Sequence, residues 1–223
     1  MQLRTALGYN PGMPTHVTDD RSLPLRERKK LRTRRALADA ALRLFTEKGF
    51  DATTLEELAD DAEVSKSTFS RVFPAKEAAG IEAEAELWTA YLAALEDGRL
   101  SGPVLTGLHR TLATTAAGLD PGWDERFLAT RRLIAAEPAL LRYTEHYRAQ
   151  VREQIAATLA ARLGLEEEDL RLHILAEIVM TAWSLSGRAW VRRGGKGGRA
   201  ALLDGFADAI GAVPAGLGLT APA

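Results

Sequence analysis

Lys66, Ser67, Thr68, Ser70 and Arg71 crowd one short stretch, offering ammonium, guanidinium and hydroxyl groups with no adjacent catalytic base. Such a set suits recognition of a polar, negatively charged surface. Hydroxyls and cations bond phosphate oxygens, and an arginine fork matches guanine O6 and N7. Arg71 can make that bidentate contact or grip a phosphate, and its type alone does not choose. Thr53 and Thr54 add hydroxyls just before another apolar-periodic segment, and Lys76 follows Pro74-Ala75. Nothing comparable points to catalysis. His16, His109, His146 and His173 are scattered, with no pair at a ligand spacing such as HExxH. The run Gly194-Gly195-Lys196-Gly197-Gly198 lacks the Lys-Ser/Thr step and preceding strand of a phosphate loop. Cysteine is absent, which excludes a thiol nucleophile, a disulfide framework and a thiolate metal site. The chain reads as a non-enzyme without cofactor or metal site.

Groups that read a groove must be held on a rigid element, and the flanking residues supply one. Leu37, Ala41, Leu44 and Phe45 recur at i, i+4, i+7 and i+8, one face of an amphipathic helix. Gly49 follows, where a chain leaving a helix often takes positive φ. Thr54-Leu55-Glu56-Glu57 has the form of a capping box and predicts a short helix carrying Leu58, Ala59 and Ala62. Ser65 suits an N-cap for a further helix from Lys66 to about Val72, anchored inward by Phe69 and Phe73. Two short helices, a tight turn and the small Ala59 at their crossing describe a helix-turn-helix. In that frame Lys66, Ser67, Thr68, Ser70 and Arg71 project from the helix that enters the major groove, while Phe69 faces the core.

At these residues the chain resembles the N-terminal signature of the TetR family of bacterial transcriptional regulators. The likeness rests on Gly49-Phe50, Thr53-Thr54, Leu58-Ala59, Ala62, Val64-Ser65, Thr68-Phe69 and Phe73-Pro74-Ala75-Lys76-Glu77, in order and spacing, within about Arg32 to Glu77. It implies that Thr53, Thr54 and Lys76, at helix N-termini that favour anions, contact phosphates. Two positions depart from the family pattern: Glu63 stands in the turn where Gly is usual, and Ser70 where Tyr usually touches the DNA backbone.

The net charge of −1 hides a strong asymmetry. Arg26, Arg28, Lys29, Lys30, Arg32, Arg34 and Arg35 face Glu27 alone, a local +6, while acid gathers at Glu166-Glu167-Glu168-Asp169. A basic run beside a helix-turn-helix is a footprint for phosphate, with Arg32 and Arg34 as its candidate contacts. With 46% apolar and 26% charged residues, the composition is that of a globular protein. Residues 1–24 lack a signal-peptide core, and no run approaches the roughly 18 apolar residues of a membrane helix. A soluble, cytoplasmic chain without a membrane partner is expected.

The remainder reads as helices, because Ala, Leu, Arg and Glu dominate and strand-like alternation is scarce. A fourth helix is expected from Pro74-Ala75-Lys76 towards Glu96, with Leu87, Trp88, Tyr91 and Leu95 on one stripe. Further helices follow Pro103, Pro121 and Pro138, the last with Tyr143, Tyr147, Val151, Ile155, Leu159 and Leu163 at i+4 steps. The segment from about Glu167 to Arg193 has no clearly polar side, so burial on both faces is expected. A final helix carries Leu202, Leu203, Phe206 and Ile210. In total this is an all-α chain of about nine helices, an N-terminal three-helix DNA-binding domain plus a C-terminal regulatory and dimerisation bundle. The expected divisions are a flexible arm at 1–24, the helix-turn-helix domain at 25–75, the ligand-binding and dimerisation domain at 76–213, and a flexible tail at 214–223.

The resemblance implies three partners: a palindromic double-stranded operator, a second copy of the chain and a small effector. For the dimer, pairing of the last two long helices points to Ile174, Ile178, Leu185, Phe206 and Ile210. For a mainly hydrophobic or aromatic effector, candidate liners are Trp88, Tyr91, Trp123, Phe127, Arg131, Tyr143, Tyr147, Met180 and Trp183. Arg131, Gln150 or Tyr147 could supply its polar contact, and Trp183 could face seam or pocket. The leading reading is a dimeric, ligand-released transcriptional repressor. The alternatives are an activator or ligand-independent regulator of the same fold, and a helical interaction protein or enzyme using the motif only as scaffold.

Overall fold

In a computed structural model the described residues are 24–98 and 100–221, and among them the chain forms ten helices and no strand. They are α1 (Leu25–Lys48), α2 (Leu55–Asp61), α3 (Lys66–Val72), α4 (Lys76–Gly80), α5 (Glu82–Asp97), α6 (Val104–Ala117), α7 (Trp123–Ala136), α8 (Pro138–Leu163), α9 (Leu170–Arg192) and α10 (Gly198–Leu217). The all-α expectation holds. The expected arm at 1–24 lies, but for Pro24, outside the described residues.

The expected fourth helix is two. Ile81, with φ −106° and ψ 13°, interrupts it between α4 and α5, although its N–H still reaches Glu77 O and Ala85 N–H still reaches its own carbonyl. Apolar periodicity continues across such a one-residue irregularity, so the pattern alone cannot reveal it. The last helix also runs on through Pro214 to Leu217, past the expected tail start. A proline in the closing turn deletes one hydrogen bond, and in an exposed turn water replaces it.

The chain forms two compact units. Among the described residues, one holds those up to Ala90 together with Gly118–Gln150, and the other those of 91–117 and from Val151 onward. The boundary expected near 75 therefore does not coincide with this division, which falls within α5 and α8.

In the first unit, α1 packs on α2, α4 and α7, and α2 packs on α3. Leu37, Ala41, Leu44, Phe45, Leu58, Ala59, Phe69 and Phe73 are buried there, as their spacing predicts. Gly49 closes α1 at φ 87°, a conformation open to glycine without a Cβ clash. On α5, Leu87 and Trp88 face inward, and Trp123 stacks on Phe127 with ring centroids 4.5 Å apart.

In the second unit, α9 and α10 form an antiparallel pair joined by the glycine-rich turn, and α6 packs on both. Ser186 Oγ donates to Leu202 O at 2.6 Å. A Cβ on Gly205 would come within 3.0 Å of that hydroxyl, so glycine permits the close approach. Phe206 is fully buried between Trp183 and His109, with centroid separations of 5.4 and 4.8 Å. By length and average composition α10 is apolar enough to cross a membrane, although Arg199, Asp204 and Asp208 keep it from being a continuous apolar run. Its hydropathy comes mainly from Leu202, Leu203, Phe206, Ile210, Val213 and Leu217, with alanines between them.

Glu63, in the turn between α2 and α3, has φ 54° and is exposed, where a side chain strains the left-handed conformation. Glu63→Gly should remove that strain and, net of glycine's greater unfolded-state entropy, stabilise the fold by about 0.5–1 kcal/mol. A rise in thermal midpoint is expected. A fall would show that the carboxylate contributes more than the turn costs.

A candidate nucleic-acid interface

The helix-turn-helix is built on matched caps. Thr54 closes a capping box: Glu57 N–H donates to Thr54 Oγ1 at 3.2 Å, and Thr54 N–H donates to Glu57 Oε2 at 2.9 Å. Lys48 pairs with the same carboxylate, and these bonds, Lys48 first, hold it down at about 2. Ser65 Oγ accepts from Thr68 N–H at 3.2 Å and starts α3. Val64 N–H reaching Ala59 O at 2.9 Å closes the turn. Phe69 and Phe73, with ring centroids 5.8 Å apart, pin α3 inward.

That pinning leaves Lys66, Ser67, Ser70 and Arg71 exposed and Thr68 partly so. Arg71 Nη2 rests 3.4 Å from Thr68 Oγ1, and Lys66 pairs with the exposed Glu56 of α2. Solvent-exposed pairs of this kind are weak, so Lys66 can exchange Glu56 for a stronger anion. The five side chains expected to read a groove thus share one short, doubly capped helix. Arg32 and Thr54 are also exposed, Thr54 at the start of α2.

Three expected contacts turn inward. Thr53 is 1% exposed and its hydroxyl donates to Gly49 O at 2.8 Å, so it fixes the turn after α1 instead of facing a phosphate. Lys76 Nζ donates to Phe50 O at 2.7 Å and Thr53 O at 3.0 Å, and lies 4.1 Å from the centre of the Phe50 ring. It secures the start of α4. Arg34 donates to Val72 O at 3.1 Å and from Nη2 to Glu82 Oε2 at 2.6 Å, with its guanidinium 4.5 Å from the centre of the Phe73 ring. Chain position does not reveal where long side chains such as these end, because tertiary neighbours direct them.

Sequence reasoning missed the charged groups behind the head. Glu84 is fully buried, accepting from Arg148 Nε at 2.8 Å, Arg131 Nη1 at 3.3 Å and Trp88 Nε1 at 3.4 Å. Burial alone would raise its pKa, but Arg148 and then Arg131 hold it below the ordinary carboxylate value. A readable signal existed. Glu84 lies on the apolar stripe of Leu87, Trp88 and Tyr91, where a carboxylate demands a buried cation. Arg126 binds Asp120 at 2.7 Å and Glu86 at 3.1 Å, and Arg35 reaches Asp120 at 3.3 Å.

The expected effector liners divide between the units. Trp88, Trp123, Phe127, Arg131, Tyr143 and Tyr147 lie in the first, and Tyr91, Met180 and Trp183 in the second. Arg131 is committed to Glu84 and is not a ready polar contact for a ligand. Tyr91 OH donates to Leu108 O at 3.4 Å, and burial raises its pKa. Of the expected dimer residues, Ile174 and Leu185 are 56% and 50% exposed and Ile178 and Ile210 partly so, whereas Phe206 belongs to the interior. Within the single chain α9 buries one face, along Leu172, Ala176, Val179, Trp183 and Trp190.

Comparison with known proteins agrees with this architecture. The family model described as bacterial regulatory proteins, tetR family, matches residues 37–78, and the MftR C-terminal domain model matches residues 102–216. The HTH-type transcriptional regulator TcmR of Streptomyces glaucescens is 31% identical over 189 residues, spanning 80% of this chain and 84% of the relative. Among solved structures, a transcriptional regulator from Rhodococcus sp. Rha1 aligns with TM-score 0.49 at 19% identity, over 82% of this chain and 96% of that one. Thermus thermophilus FadR, a TetR-family transcriptional repressor in complex with lauroyl-CoA, aligns with TM-score 0.45 at 26% identity, over 85% and 98%. With the capped two-helix motif, the outward α3 side chains and both family models in agreement, the chain belongs to the TetR family of bacterial DNA-binding transcriptional regulators.

Proposed function

We propose that the chain is a homodimeric repressor whose two heads read a palindromic operator and whose grip a small, mainly hydrophobic or aromatic molecule releases. In this reading residues 25–75 are the DNA-binding domain and 76–213 the ligand-binding and dimerisation domain. The observation that carries it is the outward presentation of Lys66, Ser67, Ser70 and Arg71 from one capped helix whose inner face is locked by Phe69 and Phe73. A rigid polar helix face suits major-groove reading. Thr68 completes that face, while Thr54 and Arg32 fit phosphates beside it.

Dimerisation is supported by a surface that water should not cover. Leu170, Ile174 and Leu185 are exposed on α9, and beside Leu185 a groove of about 230 Å³ runs along Glu177, Ile178, Thr181, Ala182, Ala209 and Val213. An exposed apolar groove bordered by projecting aliphatic side chains marks an interaction surface, and a two-fold dimer would bring both copies of it together. Ile210 flanks the same seam.

The effector part rests on the family resemblance and on the buried aromatic side chains of the first unit, where Trp88 and Trp123 are fully enclosed. Release requires that the ligand bind the DNA-free arrangement more tightly than the DNA-bound one.

The test is a pair of substitutions on α3. Arg71→Ala and Lys66→Ala should each weaken binding to an operator selected from random duplexes, by about 1–3 kcal/mol where the side chain reads a base edge. Non-specific duplex binding should change less. Wild-type operator affinity in both variants would contradict the assignment of α3.

A further inference from the structure

Arg34 lies in the basic run of α1, but its guanidinium is engaged within the fold. Its fork spans two elements: Nη1 donates to Val72 O, the last residue of α3, and Nε and Nη2 both bond Glu82, the first residue of α5. The guanidinium lies over Phe73, the C-cap of α3. A carbonyl at a helix C-terminus carries partial negative charge and has no intrahelical donor, so a cation there both satisfies and orients it. The side chains of Arg34 and Glu82 are 19% and 16% exposed, which shields the pair from the screening that weakens surface ion pairs.

We propose that Arg34 and Glu82 are a positioning pair that sets the pose of the recognition helix, and so determine operator specificity without touching DNA. The proposal rests on α3 being the reading helix. Glu82 is placed to relay as well as to hold. Glu84, two residues on, points about 200° around the same helix and is gripped by Arg131 of α7 and Arg148 of α8. Glu86, one turn from Glu82, shares Arg126 with Asp120, and Asp120 in turn binds Arg35 of α1. The first turns of α5 therefore hold the head on one face and the arginines of α7 and α8 on the other. A rotation of α5 that shifts Glu82 draws Arg34, and with it the Val72 carbonyl, by the same motion.

Two substitutions separate positioning from plain electrostatics, because the two accounts predict opposite signs. Glu82→Gln removes a negative charge close to the DNA-binding face. If Arg34 acts only as a positive charge, this variant frees it, tightens binding to every duplex and steepens the salt dependence. As a positioning pair, Glu82→Gln weakens operator binding by about tenfold to a hundredfold, as expected for one charged hydrogen bond, and leaves non-specific binding unchanged. Arg34→Lys keeps the charge but loses the fork that spans Val72 and Glu82. It should lose operator affinity to a similar degree with an unaltered salt slope. Binding is measured on a duplex selected by the wild-type protein, at a temperature where circular dichroism shows each variant folded. Wild-type affinity in Arg34→Lys, or tighter binding with a steeper slope in Glu82→Gln, would overturn the proposal. A wild-type protein that selects no duplex sequence would instead overturn the reading of α3.

Discussion

Glu84→Ala should lower the free energy of unfolding by about 3–5 kcal/mol, the scale for removing one partner of a buried ion pair. The carboxylate is fully buried, and the side chains of its partners Arg131 and Arg148 are only 6% and 10% exposed. Deleting it leaves two guanidinium groups close together in a medium that solvates neither. Arg148 keeps one other carboxylate, Glu145, which is 56% exposed and bonds it at 3.1 Å. For a domain stable by about 5–15 kcal/mol, such a loss is a large fraction of the whole. Urea titration measures it, and the midpoint should move while the slope stays constant.

The same carboxylate predicts a pH dependence of definite sign. Its folded pKa lies below the unfolded value, because Arg148 and Arg131 outweigh the opposing effect of burial. Its contribution is therefore present above the unfolded carboxylate pKa, about 4.3, and is lost as pH falls through the lower folded value. Wild-type protein should lose stability on acidification more steeply than Glu84→Gln. Parallel curves, or a cost below about 1 kcal/mol for Glu84→Ala, would show that the three charges do not act as a buried unit.

Leu185→Asp should convert the dimer to monomer and reduce operator affinity by at least about a hundredfold. In the proposed two-fold dimer each copy would contribute one aspartate to the seam, so a single mutation would bury two unpaired charges at several kcal/mol each. Leu185 is half exposed and borders the groove of α9 and α10, so the isolated chain should tolerate the aspartate. Sedimentation should show a folded monomer with unchanged helix content. Loss of the dimer removes DNA binding indirectly, because a single head engages one half-site. A wild-type chain that sediments as a monomer at micromolar concentration would overturn the assembly.

Helix faces and caps were readable because they depend on local spacing. Leu37, Ala41, Leu44 and Phe45 declare a buried stripe whatever packs on it, and Thr54 and Ser65 cap their helices with their own neighbours. What the chain order hid was where long charged side chains end. In the free chain the Arg34 and Lys76 side chains, whose chain positions and family resemblance suggest DNA, each reach a backbone carbonyl of another segment. Thr53 and Thr54 are adjacent and similar, and only the fold decides that one hydroxyl points in and the other caps a helix. Phe206 misled for a related reason. Periodicity identifies an apolar face of α10 but does not say whether the chain's own α6 and α9 or a second copy covers it. The break at Ile81 left no trace in the apolar pattern.

The most direct test of the central claim is selection of binding sites from a random duplex library, followed by footprinting with wild-type protein and Arg71→Ala. The account predicts an inverted repeat whose half-site centres lie about one helical turn, or a multiple of it, apart. Two chains should occupy each repeat, and Arg71→Ala should relax selection at symmetry-related positions of both half-sites. A wild-type dimer that enriches no inverted repeat, or that selects the same repeat with the same stringency when both Arg71 and Lys66 are alanine, would contradict it.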